Sequence, residues 1–185
     1  FILDHSQAKA LVCDDTLVDL ATDATDRLDG AIVRICVTHD AVDGWERFAD
    51  VGAGSAPVPR VHAAADDIHR LMYTSGTTGR PKGVVYHHRG TFLESLGNIV
   101  AWPMPAHPVY LWTLPLFHCN GWCYPWSVTA MAGTHVCLRG VDPALIFPMI
   151  TEHGVTHMCG APTVLAMLIG APEEQRRKFA QPVHI

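Results

Sequence analysis

Short β-branched or aromatic apolar runs at residues 31–37, 68–73, 109–114, 134–138 and 155–159 alternate with segments of helical spacing. A chain patterned this way is neither a helical bundle nor a β-sandwich, because strand faces and helix faces come in turn and each must cover the other. The pattern calls for βαβ units: an α/β fold with a mainly parallel sheet flanked by helices. Helices are expected at 16–28, 87–100, 126–132, 143–153, 162–169 and 173–179. In the first, Leu17, Val18 and Leu20 share a side; in the second, Phe92, Leu93, Leu96 and Ile99 recur at helical spacing. Pro143 suits a first helical turn, whereas Pro148 should kink its helix. In parallel sheets ligands gather at the carboxyl ends of strands, so chemistry is sought in the segments that leave those ends.

One such segment follows the run 68–73. Tyr73-Thr74-Ser75-Gly76-Thr77-Thr78-Gly79-Arg80-Pro81-Lys82-Gly83 puts four small-residue hydroxyls, three glycines and a lysine into one stretch. Glycines let backbone N–H groups turn inward, hydroxyls add donors, and lysine brings a mobile positive charge, a composition suited to phosphate. It is not a Walker A loop, since Lys82 is followed by Gly83 and not by the Ser or Thr that would ligand Mg²⁺. A second polar cluster, Pro115-Leu116-Phe117-His118-Cys119-Asn120-Gly121-Trp122, leaves the run 109–114, and the two clusters can face one crevice.

Charge agrees with a phosphate site. Residues 1–70 hold thirteen Asp and Glu against six Lys and Arg, residues 71–185 five against seven, and Arg80, Lys82 and Arg89 cluster at the loop. A net charge of −5 argues against nucleic-acid binding. With no apolar run of about 18 residues and no basic leader, the chain reads as soluble and cytoplasmic, with no membrane span. The six cysteines sit mostly in apolar runs as small hydrophobes. His118, Cys119 and Cys123 lack the second pair that a structural zinc site needs, so no metal ligand is assigned.

The loop closely resembles the signature loop of the AMP-forming adenylating enzymes, the superfamily of acyl-CoA synthetases, luciferases and peptide-synthetase adenylation domains. The resemblance implies that Thr74, Ser75, Gly76, Thr77, Thr78, Gly79 and Lys82 hold the ATP phosphates, with Mg²⁺ bridging phosphate oxygens, while a carboxylate attacks the α-phosphate. By the same resemblance His118 orients the acid, and Lys82 with His118 forms the catalytic pair. Trp122 matches a gate to the acyl tunnel, and Gly160 and Thr163 of Gly160-Ala161-Pro162-Thr163 line the acyl pocket beside Met167 and Leu168. For His118 a packing role, and for Trp122 an ordinary core role, stand as alternatives. Tyr86-His87-His88-Arg89-Gly90 with Phe117–Cys123 looks like the medium-chain acyl-CoA synthetases, plant acyl-activating enzymes and methylmercaptopropionate-CoA ligases. The implied reaction turns a short- to medium-chain carboxylic acid into acyl-AMP and then acyl-CoA, with ATP, Mg²⁺ and coenzyme A taking part and a homodimer allowed.

Such enzymes are far longer than 185 residues. Residues 1–185 are therefore expected to be part of an N-terminal domain, with the adenine, ribose and C-terminal lysine sites outside the chain and little or no adenylation by the isolated piece. A stand-alone nucleotide-binding module or pseudoenzyme, or transfer of the acyl group to a carrier protein, are the alternatives.

Overall fold

The computed structural model describes residues 1–54, 57–75, 79–118 and 121–185. In chain order they form α1 (Ile2–His5), β1 (Ala10–Asp14), α2 (Val18–Asp26), β2 (Val33–Val37), β3 (Glu46–Arg47), α3 (Phe48–Val51), β4 (Ile68–Thr74) and β5 (Lys82–His87). There follow α4 (His88–Ala101), β6 (Val109–Trp112), α5 (Tyr124–Ala130), β7 (Thr134–Cys137), α6 (Pro143–His153), β8 (His157–Met158) and α7 (Pro162–Ile169). The strands join as β1-β2-β3, β4-β5 and β7-β6-β8, and the pairings within the first and third sheets are parallel. This is the α/β architecture that the alternation of runs calls for. No helix among the described residues is long and apolar enough to cross a membrane.

The chain divides into two compact units, Phe1–Ala63 with Tyr73–Val84, and Ala64–Met72 with Val85–Ile185. In the first, Ala21 of α2 packs with Cys36 and Trp45 against β1 and β2, and the Trp45 indole donates to Thr22 Oγ1 at 3.0 Å. Leu20, expected on the inner face of α2, is 69% exposed; Ala21 and Thr25, one turn apart, point inward instead.

The second unit is organised on β6. Successive side chains of a strand point to opposite faces, so Tyr110 and Leu111 build two different cores. Tyr110 packs with Met104 and Val128 under α4 and α5, while Leu111 packs with Val136, Ile146, Ile150, Val155, Met158 and Val164 under α6 and α7. Burying a side chain such as Leu111 contributes about 1.5–3 kcal/mol, and a strand covered on both faces reads as a continuous apolar run. The helix starts follow local chemistry. Asp142 Oδ1 accepts from the Ala144 N–H at 2.8 Å, Pro143 occupies the first turn, and Gly154 ends α6 at φ +61°. The helix continues across Pro148.

Two further expectations are corrected. In α4, Phe92, Leu93 and Leu96 face outward, with Phe92 63% exposed, while Ile99 packs against the Tyr110 core as expected and the buried positions are Thr91 and Ser95. Small side chains are needed there because α5 lies close: Ser127 Oγ donates to the Ser95 carbonyl at 2.9 Å. Residues 173–179 form a single turn in place of a helix. The Arg176 guanidinium reaches back to the Ile169 and Ala171 carbonyls at 2.7 and 2.9 Å, capping the end of α7, and one turn alone does not carry helix nucleation.

Candidate active site

The glycine- and hydroxyl-rich segment spans the connection between the paired strands β4 and β5: Thr74 ends the one and Lys82 opens the other. Thr74, Ser75 and Gly79 are described, whereas Gly76, Thr77 and Thr78 lie outside the described residues. Lys82 is exposed and makes no ion pair with any described residue, leaving its ammonium open to a ligand. Gly79 has φ +81°, a conformation an L side chain adopts only with strain. At Gly83 the neighbour is the Tyr73 ring, 3.4 Å from where a Cβ would stand. Tyr73 Oη in turn shares a 2.7 Å hydrogen bond with His5 Nδ1. Arg89 stands on α4 and pairs with Asp66.

In the second unit the other candidates leave the carboxyl ends of adjacent parallel strands. The Thr113 hydroxyl, just past β6, donates to the Cys159 carbonyl, just past β8, holding the two exits side by side. From the β6 exit the chain makes a turn around His118: its N–H donates to the Pro115 carbonyl at 3.1 Å, and its carbonyl accepts from Gly121 and Trp122 at 2.9 and 2.8 Å. The imidazole of His118 is exposed. From the β8 exit come Gly160, half-buried, and Thr163, exposed in the first turn of α7. Leu168, expected beside the acid pocket, is partly buried and packs against the core with Val164, because it lies four residues on, over the same helix face.

Trp122 is 9% exposed and is the hub of an aromatic cluster, with the Tyr86 ring at 4.6 Å and the Trp126 ring at 5.5 Å. The Arg70 guanidinium lies over it at 3.9 Å. Cys123 follows at φ +67°, a left-handed conformation uncommon outside glycine, and from it α5 departs. Burial pushes the Cys123 thiol up to about 11. Burial, with the Cys159 thiol close by, pushes Tyr124 up to about 12 and raises Tyr110 as well. Burial also lowers His69, assisted by the nearby charges of His88 and Arg70. Among the described residues no group of three or more His, Cys, Asp or Glu is placed to hold a metal ion.

A glycine- and hydroxyl-rich segment thus joins two paired strands, and polar turns stand at the ends of parallel strands. The family model described as AMP-binding enzyme matches residues 1–184. The chain belongs to the AMP-binding enzyme family. It is 56% identical over 204 residues to probable acyl-activating enzyme 5 of Arabidopsis thaliana, named peroxisomal, an alignment covering 100% of this chain and 36% of that protein. A butyrate–CoA ligase of the same plant, also named peroxisomal, is 48% identical over 133 residues, 72% of this chain and 23% of the ligase. The chain thus spans about a third or less of the length of these AMP-binding relatives. The inhibitor-bound N-terminal domain of FACL13 from Mycobacterium tuberculosis superimposes with a TM-score of 0.76 over 99% of this chain and 47% of that one; at 22% identity it shows the fold alone.

Three residues of this AMP-binding chain were not singled out from sequence. Arg70 and His69 read simply as strand residues, and Trp126 as a helix position; only their convergence on Trp122 gives them a place.

Proposed function

We propose that residues 1–185 are part of the N-terminal domain of an ATP-dependent carboxylate–CoA ligase acting on short- to medium-chain acids. The observation that supports this most is the match to the AMP-binding family over nearly the whole chain, with relatives named acyl-activating enzyme and butyrate–CoA ligase. Joining a carboxylate to ATP brings two anions together, so a site must neutralise charge and align the reactants; it needs no nucleophilic side chain. In this reading the segment from Thr74 to Gly79 cradles the departing pyrophosphate by backbone and hydroxyl donors, and Lys82, unpaired by any described residue, supplies the balancing charge. Bound with the nucleotide, Mg²⁺ would add further neutralisation of the phosphate charge.

His118, in its turn at the β6 exit, orients the acid, while Trp122, Gly160 and Thr163 bound the acyl group. Coenzyme A accepts the acyl group in the second half-reaction. The compartment we propose is the cytoplasm, although the two relatives are named peroxisomal. The test is ATP–pyrophosphate exchange by the full-length protein with a panel of short and medium acids, beside Lys82→Ala. Acid-dependent exchange that drops in the variant supports the reading; acid-dependent exchange undiminished in Lys82→Ala removes the role of Lys82, and no exchange with any acid removes the function.

A further inference from the structure

Arg70 stands out among the cations of the chain. The charged partners found for other arginines are carboxylates: Arg27 with Asp23, Arg34 with Asp26, Arg47 with Asp50 and Arg89 with Asp66. Arg70 is half-buried on β4, and no Asp or Glu among the described residues pairs with it. Its guanidinium lies 3.9 Å from the centroid of the Trp122 ring and 5.1 Å from that of Trp126, and Nη1 donates to Met72 Sδ at 3.4 Å. The negative faces of two indoles thus take the place of a counter-ion. His69, the preceding residue, meets the same two rings from its own side, edge-on to Trp126 at 5.1 Å and tilted toward Trp122 at 6.3 Å. Tyr86 closes on Trp122 at 4.6 Å.

This arrangement has a mechanical consequence. For the Trp122 ring to swing away, a half-buried guanidinium would lose its nearest aromatic face with no carboxylate to replace it, so the cation holds the indole where it is. Resting on the reading that Trp122 bounds the acid pocket, we infer that Arg70 is a positioning residue that sets acid length, by pinning Trp122 across the space a longer chain would occupy. Arg70 touches no reacting atom in this scheme; it acts through the ring.

The test uses the full-length protein and exchange kinetics with acetate, butyrate, hexanoate and octanoate. Arg70→Met keeps an unbranched stem and removes the charge. The expected result is a rise of about fivefold in the octanoate-to-butyrate ratio of kcat/KM, the scale of one lost cation–π contact, carried by the KM for octanoate with the KM for ATP unchanged. Arg70→Lys, still a cation, should restore the ratio. In a Trp122→Leu background the ratio is already raised, and Arg70→Met should add nothing. Should Arg70→Met melt early, Arg70→Gln reads the same ratio. An unchanged ratio in Arg70→Met and Arg70→Gln, or the same shift whether or not Trp122 is present, overturns the inference while leaving the ligase reading intact. Absence of exchange in the wild type overturns the ligase reading and this inference with it.

Discussion

Replacing Gly121 by Ala tests whether the turn that carries His118 and Trp122 is as tightly closed as its geometry states. A Cβ at position 121 would run into the Pro115 carbonyl oxygen and lie 3.1 Å from Pro115 C and 3.3 Å from Leu116 Cα. All three atoms are backbone, so no rotamer change relieves the clash and the turn itself must open. Such overpacking costs about 1–3 kcal/mol, and weakening the hydrogen bonds between Gly121 and His118 and between His118 and Pro115 adds about 1 kcal/mol. The expected loss is therefore about 2–4 kcal/mol of stability. Gly160→Ala is the control. There the atoms met are Leu165 Cδ2 at 2.7 Å and Cγ at 3.1 Å, the end of a side chain that can turn aside for about 1 kcal/mol. Urea unfolding of the full-length protein gives the stabilities, and acid-dependent exchange gives the effect on the site. Gly121→Ala should lower both, the second by at least about tenfold, since 1.4 kcal/mol of misplacement is a factor of ten. Equal stability for the two variants, with exchange by Gly121→Ala at the wild-type level, would refute the reasoning.

Ser127→Ala removes a fully buried hydroxyl that donates to the Ser95 and Cys123 carbonyls, and should cost about 1–2 kcal/mol in the same unfolding assay. His157 is buried, stacks on His184 at 5.0 Å and is held below the ordinary imidazole value of 6.5 by burial and then by His184. Its neutral form is favoured by the fold, so its contribution is complete above 6.5 and is lost as pH falls through the lowered value. Melting temperature should drop on acidification in that window, and His157→Phe should flatten the drop. Among the described cysteines, exposed Cys137 should alkylate first, with Cys36 buried and the thiol of buried Cys123, pushed up to about 11, unreactive at neutral pH; mass spectrometry of brief iodoacetamide labelling reads the order.

Much of the fold is legible from local chemistry. Asp142-Pro143 and Pro162 mark helix starts, and α6 and α7 begin and end where the spacing places them, because a cap, a proline and a following glycine act within one turn. The strands of the third sheet read as apolar runs because helices cover both faces. The motif from Tyr73 to Gly83 points to the family by its composition, and the family match agrees. The inner face of α4 is only partly legible, Ile99 alone of the apolar stripe packing inward, because helical spacing identifies a stripe without saying which neighbour lies close. The approach of α5 through Ser127 selects Thr91 and Ser95 over Phe92 and Leu96. The turn at 173–176 has the same origin: an arginine expected on a helix is drawn to the open carbonyls of α7.

By itself, then, the sequence determined the α/β class, most element positions and the family, since each depends on neighbours along the chain. Only tertiary structure decided that Arg70 has two indoles for a counter-ion, that Gly121 admits no side chain, and that Trp122 is walled in by Tyr86 and Trp126. Those facts depend on atoms far apart in the chain brought within a few ångströms, where close packing and the cost of an unpaired charge act.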